Sequence, residues 1–407
     1  MDPSPATTRA SDPAGMARLV LETRAGALGA GLLLIMLLGC LASIPWTWGA
    51  PGGGQGGTPR YDAQNPEARL LPPAWVPHAP DEASRVTPGT RAATADPTAP
   101  ASPTPRSGGL MGTDLLGRDL FTRVLAGGSI SLGVGCAAAG VAVLIGTAYG
   151  LVSGYAGGRI DALMMRVVDV LYGLPYVLLV VLLAVASEAL IEEYVSRGRA
   201  RAAWMQSRAA EVARSRGEAD DRASVQRLLR EDPDLAGRLT KESDIRPELA
   251  PRRLSAGARR AYDVGTLLLA IGGVSWLTMA RVVRGQVLAL KAQPFVEAAR
   301  AMGVGRGRIV LRHILPNLAG TIVVYATLTV PQAILQESFL SFLGIGVRPP
   351  LPSWGNLAAD GLWALNPVRV RWWLLVFPCG ALCVTLLALN FLGEALRDAM
   401  DPRRAAR

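Results

Sequence analysis

Side chains that commonly do chemistry are sparse in this chain. Its four cysteines, Cys40, Cys136, Cys379 and Cys383, all fall inside apolar runs. Cys379 and Cys383 have the i, i+4 spacing of one helix face, but no histidine or carboxylate lies close in sequence to complete a metal site. All four read as buried, inert thiols. The two histidines, His78 and His313, are far apart. No H-E-x-x-H, G-x-S-x-G or G-x-x-x-x-G-K-[ST] pattern occurs. The chain is therefore expected to carry no catalytic residue and no metal, and to bind no ATP phosphates through a loop of its own.

One polar stretch stands out. Between Arg281 and His313 lie seven basic residues (Arg281, Arg284, Lys291, Arg300, Arg306, Arg308 and Arg312) and a single acid, Glu297. Residues Lys291–Met302 favour helix, with Pro294 expected in the first turn and Gly303 just past the end. Gly303 suits the left-handed conformation that stops a helix. A short helix lying across a membrane surface is expected, able to dock in a groove of a partner. Glu297 would be available to an arginine of that partner. Pro316 suits the first turn of the following helix, where a missing N–H costs nothing.

The elements that position this stretch are apolar runs long enough to cross a bilayer core of about 30 Å. The 407 residues are 50% hydrophobic and 18% charged, with a mean hydropathy of +0.28. Six runs are read: Ala27–Ile44, Ile130–Val152, Leu163–Leu190, Val264–Val283, Leu318–Leu335 and Trp372–Leu392. The fold class expected is an all-α integral membrane protein with six transmembrane helices. Net charge is +10, but aromatics do not interleave with the basic residues, which argues for positive-inside loops over nucleic-acid binding. The run at Ala27–Ile44 follows basic residues and holds Leu37-Leu38-Gly39-Cys40, like a lipoprotein cleavage box. It is longer than a usual signal core, so a retained first helix is expected. Arg166 and Asp169, three apart at the start of the third run, are expected to pair with each other.

Orientation follows from charge. The basic loop 284–316 is short, so it should be cytoplasmic. Counting outward, residues 1–26 and 393–407 lie inside, and the Pro/Gly-rich loop 45–128 lies outside. That loop carries seven basic and seven acidic residues, with no cytoplasmic bias. The transmembrane blocks are then 27–44, 129–190 and 264–392. Residues 191–263, rich in Arg, Ala and Glu, form a charged helical insertion. By parity it is extracytoplasmic, and long loops translocate largely regardless of charge. It shows no clean apolar heptad, and mobile, solvated helices without an apolar face are expected there. Glu337, at the outer end of the fifth run, is a candidate pore residue, with an interfacial carboxylate as the alternative.

The stretch Glu297-Ala298-Ala299-Arg300-Ala301-Met302-Gly303, followed by Leu315-Pro316, resembles the E-A-A-x-x-x-G…L-P loop of permease subunits of ATP-binding-cassette importers. Gly112-Thr113-Asp114-Leu115-Leu116-Gly117-Arg118-Asp119 resembles the G-T-D-x-x-G-R-D segment of dipeptide and oligopeptide permeases. Met165-Arg166-Val167-Val168-Asp169 with Pro175, Leu340–Gly346, Pro349–Gly355 and Leu396–Pro402 match that family as well. The likeness is nearest to its second, C-type subunit. It implies an importer-type permease fold in the inner membrane and transport of peptides. It also implies a second permease subunit, two ATPase subunits that hold ATP and Mg, and an extracytoplasmic substrate-binding protein. Glu297, Ala298, Ala299, Gly303, Leu315 and Pro316 would couple the ATPases to the membrane helices. Three features depart from the pattern: a longer external loop before Gly112, the insertion 191–263, and His313 where the general loop motif has an aliphatic residue, although His-Ile-Leu-Pro is familiar in peptide permeases. A nickel-chelate or antimicrobial-peptide importer shares these motifs, and a membrane scaffold that has lost transport is a further reading.

Overall fold

The computed structural model describes residues 21, 23–50, 57–77, 82, 109–217, 221–246, 256–365 and 369–399. The first 20 residues, His78, most of the loop between 78 and 108, residues 247–255 and the tail from Met400, including Asp401 and Pro402, lie outside them. Among the described residues the fold is all-helical, with one isolated backbone bridge between Thr113 and Asp119. The long helices are α1 (Arg24–Ala42), α2 (Leu120–Ala156), α3 (Gly158–Tyr172), α4 (Tyr176–Ser215), α5 (Arg222–Glu231), α6 (Pro233–Ile245), α7 (Ala256–Lys291), α8 (Pro294–Ala301), α9 (Leu315–Phe342), α10 (Trp354–Trp363) and α11 (Trp373–Ala399).

Among the described residues, five segments are long and apolar enough to cross a membrane: Arg24–Thr47, Leu120–Ala156, Gly265–Lys291, Arg306–Phe342 and Trp373–Ala399. The third apolar run is not one helix. It divides into α3 and α4, with the break at 173–175. Pro175 lacks an N–H and disfavours helical backbone at Leu174, so the chain restarts at Tyr176.

Small residues let these helices close on one another. A Cβ built on Gly146, Gly150 or Gly154 of α2 would meet Met279 Cβ at 2.5 Å, Ala280 O at 2.6 Å or Val287 Cβ at 2.8 Å. The four-residue spacing makes one smooth stripe on α2, against which α7 lies. Such stripes substitute for hydrophobic driving force where the solvent is lipid. Gly29 does the same for α1, where an added Cβ would sit 2.8 Å from Phe391 Cβ of α11. One core gathers Cys40, Leu120, Val124, Leu132, Ile334, Trp354, Leu357 and Trp373. Trp354 is anchored by its indole N–H, which donates to Val124 O at 3.0 Å.

Residues 182–266 form a compact unit of their own. Contrary to the expectation of helices without an apolar face, this unit has a core of Ala209, Ala213, Val225, Leu228, Leu235 and Leu239. The pattern is pairs spaced three or four apart, split over three helices, so no single run shows an apolar stripe. Asp232 caps α6 by accepting from Leu235 N at 2.9 Å, and it pairs with Arg216 at 2.9 Å. The Asp232 carboxyl is held below its ordinary range, first by that backbone N–H and then by Arg216. Trp204 lies under two guanidinium groups, those of Arg246 and Arg208.

Candidate functional site

The helix singled out in the basic stretch is α8. It starts at Pro294, three residues later than expected, because α7 continues to Lys291 and Gln293 takes the N-cap. Pro294 fits the first turn. The end is a Schellman closure: Gly303 N donates to Arg300 O at 2.9 Å and Val304 N to Ala299 O at 3.0 Å. Gly303 has φ +77, the left-handed region open to glycine at little cost. Val296 and Ala299 are buried against Met279, Val283, Val287, Ile309, Ile314 and Leu318. The other face is bare. Glu297 and Ala298 are exposed, Phe295 is 41% exposed and Met302 76%. The helix is thus fixed to α7 and α9 on one side and presents a carboxylate flanked by apolar side chains on the other.

Leu315 and Pro316 open α9, but the chain is already wound before them. Arg306–Ile309 is helical, and Val310–Ile314 is a π-helical turn. Pro316 cannot donate to the carbonyl of Arg312 and its ring crowds that turn, which accounts for the local widening. Asn317 Nδ2 donates instead to His313 O at 2.7 Å. The imidazole of His313 is half-buried.

The segment Gly112–Asp119 builds a different object, a buried ionic brace. Asp114 accepts from Arg118 Nε at 2.7 Å and from Arg123 NH1 at 2.6 Å. Arg118 also reaches Asp62 at 3.0 Å, and Arg123 reaches Asp360 of α10 at 3.5 Å. Asp114 further takes the backbone N–H groups of Leu116 and Arg118. Thr113 Oγ1 donates to Ala68 O and accepts from Leu71 N. Asp119 caps α2, accepting from Thr122 N at 2.9 Å. Gly112 has φ +84, and a Cβ there would meet Leu71 O at 2.7 Å. Gly117 likewise has positive φ. Each of these groups is spent on ties between the first loop, the start of α2 and α10.

The other candidates fall elsewhere. Arg166 and Asp169 do not pair with each other. Arg166 is exposed, and Asp169 accepts from Arg281 NH2 at 2.9 Å. Arg166 sits in the middle of α3 and Asp169 in its last turn, neither at its start, and Arg281 also lies 4.1 Å over the Tyr172 ring. Pro175 marks the α3–α4 break. Glu337 is fully buried rather than interfacial. Ser341 Oγ donates to it at 2.7 Å and Ser338 Oγ at 3.3 Å, with Ser131 and Ser353 also facing it. It does not line the neighbouring cavity of about 370 Å³, whose polar wall is Ser275, Thr278, Thr329, Gln332 and Gln336. The thiols also differ from expectation: Cys40 is buried, Cys379 half-buried, and Cys136 and Cys383 exposed. Cys136 and Cys383 lie on helix faces that no described element covers, which an apolar run in sequence does not disclose. Among the described residues no cluster of three metal-ligating side chains occurs.

One constellation was not singled out from sequence. Arg284 of α7 makes a bidentate pair with Asp161 of α3, at 2.6 and 2.7 Å. Ser153 of α2 donates to the same carboxylate at 2.5 Å. The Arg284 guanidinium is the leading cause that holds the Asp161 carboxyl below its ordinary 3.8, with Ser153 adding to it. The signal available was a lone acid just after the Gly157-Gly158 turn, opposite a basic stretch whose single acid is Glu297.

Comparison with known proteins agrees with this architecture. Residues 146–406 match the family described as binding-protein-dependent transport system inner membrane component. The oligopeptide transport system permease protein OppC of Haemophilus influenzae is 38% identical over 303 residues, covering 74% of this chain and 73% of that protein. OppC of Escherichia coli K12 is 40% identical over 303 residues, covering 74% and 75%. The dipeptide transport system permease protein DppC of Bacillus subtilis is 38% identical over 292 residues, covering 72% and 68%. With its membrane-length helices, the chain is a multi-pass inner-membrane protein that belongs to the binding-protein-dependent transport system inner membrane components, as a permease of the OppC and DppC type.

Proposed function

We propose that the chain is the C-type membrane-spanning permease of an ATP-binding-cassette importer that carries oligopeptides or dipeptides across the inner membrane. Its partners are a second permease, two ATPase subunits that bind and hydrolyse ATP with Mg, and an extracytoplasmic substrate-binding protein. The observation that carries this reading is α8. One face is packed on α7 and α9, while Glu297, Ala298 and Met302 are bare on the other. A partner that grips the bare face moves the packed face, and with it two membrane-crossing helices. In this reading Glu297, Ala298, Ala299, Gly303, Leu315 and Pro316 transmit closure of the ATPases.

The topology is part of the proposal. A sixth span starts at Tyr176, the loop 284–316 and both termini are cytoplasmic, and residues 191–263 are outside. A cysteine at Ser224, in a chain lacking its four native cysteines, should react with an impermeant reagent in intact spheroplasts. Reaction only after lysis would reverse the orientation. The function itself is tested by peptide uptake into liposomes holding the assembled importer. Uptake should require ATP on the ATPase side and should vanish when this chain is omitted. ATP-independent uptake, or uptake without this chain, would refute it.

A further inference from the structure

A cavity of about 780 Å³ lies where the ends of α2 and α7 meet the segment after α8. Its polar rim holds three cations, Lys291, Arg300 and Arg306, and no carboxylate lines it. Lys291 Nζ donates to Tyr155 O at 2.6 Å. The charges of Lys291 and Arg300 sit 5.5 and 5.8 Å from the centre of the Tyr155 ring. None of the three forms an ion pair among the described residues. Asp161 senses Lys291 only as a lesser influence behind its pair with Arg284. Three cations are thus gathered on one rim, two of them beside a single aromatic ring, with no carboxylate paired to them among the described residues.

The rest of the cavity is apolar. Leu151 and Val152 of α2, with Val310 and Leu311 on the way into α9, form its wall. Val152 is 57% exposed and Leu311 67%, and both belong to segments long and apolar enough to cross the membrane. A cationic rim above an apolar wall at a membrane-helix end matches a molecule with an anionic head and a hydrocarbon tail. Basic pockets between membrane helices on the cytoplasmic side hold such headgroups. A free phosphate would use the cations but leave the apolar wall wet.

We propose that this cavity binds an anionic phospholipid, with its phosphate between Lys291, Arg300 and Arg306 and an acyl chain along Val152 and Leu311. The lipid would bridge α2, α7 and the segment after α8, three parts that no ionic contact ties together at this point. This site goes beyond the transport reading and does not depend on what is transported.

The test is native mass spectrometry of the full chain, stripped of lipid in detergent and titrated with dioleoyl phosphatidylglycerol or dioleoyl phosphatidylcholine. One tightly retained phosphatidylglycerol is expected, with phosphatidylcholine retained far less. Replacing Arg300 and Arg306 together by Gln should weaken that retention about thirtyfold, and Lys291→Gln alone about fivefold, at about 1 kcal/mol for each basic residue near a lipid surface. Monodisperse elution and an unchanged helical circular-dichroism spectrum show that each variant is folded. Should one variant fail to fold, the other carries the test. Equal retention of both lipids, or unchanged retention in the folded variants, would overturn the proposal. Complete displacement by millimolar glycerol phosphate would mark a soluble-phosphate site and overturn the lipid assignment. Loss of the lipid when the ATPase subunits are added would mark a protein contact and do the same.

Discussion

The helix Pro294–Ala301 and the brace at Gly112–Asp119 both lie in stretches that match the family's motifs, yet they are built on opposite principles. In the brace, Asp114 takes two guanidinium groups and two backbone N–H groups, and Arg118 and Arg123 each reach a second carboxylate. Its polar groups point inward and pair with one another, save Arg123 Nε, which has no hydrogen-bond partner among the described residues. In α8 only Val296 and Ala299 point inward, and Glu297 is left to solvent. A site satisfied by its own chain holds that chain together. A site left open on one face is available to something else. The difference separates residues whose loss should unfold the protein from residues whose loss should leave it folded and idle.

The largest expected effect is in the brace. Asp114→Ala leaves buried Arg118 with Asp62 alone and buried Arg123 with the 3.5 Å contact to Asp360 alone, and breaking a buried pair in this way costs about 3–5 kcal/mol. The variant should be recovered in low yield with a sharply lowered midpoint in thermal unfolding. Wild-type stability in Asp114→Ala would remove the brace from its structural role.

Next in size is the glycine stripe of α2. Gly150→Leu places a side chain where even Cβ would meet Ala280 O at 2.6 Å. Overpacking of this kind costs about 1–3 kcal/mol. The expected outcome is a lower unfolding midpoint, whereas Gly140→Leu, where nothing lies within 4 Å of the added Cβ, should be tolerated. Equal behaviour of the two would show that the stripe does not seat α7.

Gly303→Val sharpens the contrast further. No atom lies within 4 Å of a Cβ at Gly303, so its cost is that of a positive φ alone, about 1 kcal/mol or more. The protein should insert and fold, with the end of α8 loosened and transport reduced. Gly303→Asn, which tolerates this conformation better, should retain more transport than Val. Equal losses in both would point away from backbone conformation as the cause.

The smallest effect concerns Asp161. Its carboxyl is held below the ordinary 3.8 chiefly by Arg284. A depressed carboxylate contributes stability above its unfolded pKa and loses it as pH falls through the folded one. The stability gap between wild type and Asp161→Asn should therefore be full at neutral pH and shrink as pH falls below about 3.8. A gap independent of pH down to acid unfolding would separate the Asp161–Arg284 contact from charge.

Much of this was legible in the sequence because lipid imposes a simple rule. A crossing helix needs a long uncharged run, and the runs near Ala27, Ile130, Val264, Leu318 and Trp372 all became helices. The break at Pro175 was not read, because hydropathy is blind to a missing N–H. The E-A-A stretch was legible as a helix with its glycine stop, since capping is local. The brace was visible as a motif but not as a brace. Its partners Asp62 and Asp360 lie 56 and 237 residues from Arg118 and Arg123, and no local pattern carries such pairings. Glu337 was placed by its position along the helix, whereas its rotation about the axis, which turns it toward Ser131 and Ser353, depends on neighbours. The small core of residues 182–266 was hidden for the same reason, being shared among three short amphipathic pieces.

The central division, an inward brace and an outward coupling helix, is tested most directly by one variant in the assembled importer. Glu297→Lys reverses the one acidic side chain of α8, which makes no hydrogen bond or ion pair among the described residues. ATP-driven peptide uptake should be measured per inserted molecule, beside the thermal unfolding midpoint of the same preparation. An unchanged midpoint with uptake reduced at least about tenfold is expected, a loss equivalent to about 1.4 kcal/mol, within the range of a single charge-assisted contact. Normal uptake from a normally stable Glu297→Lys importer would contradict it.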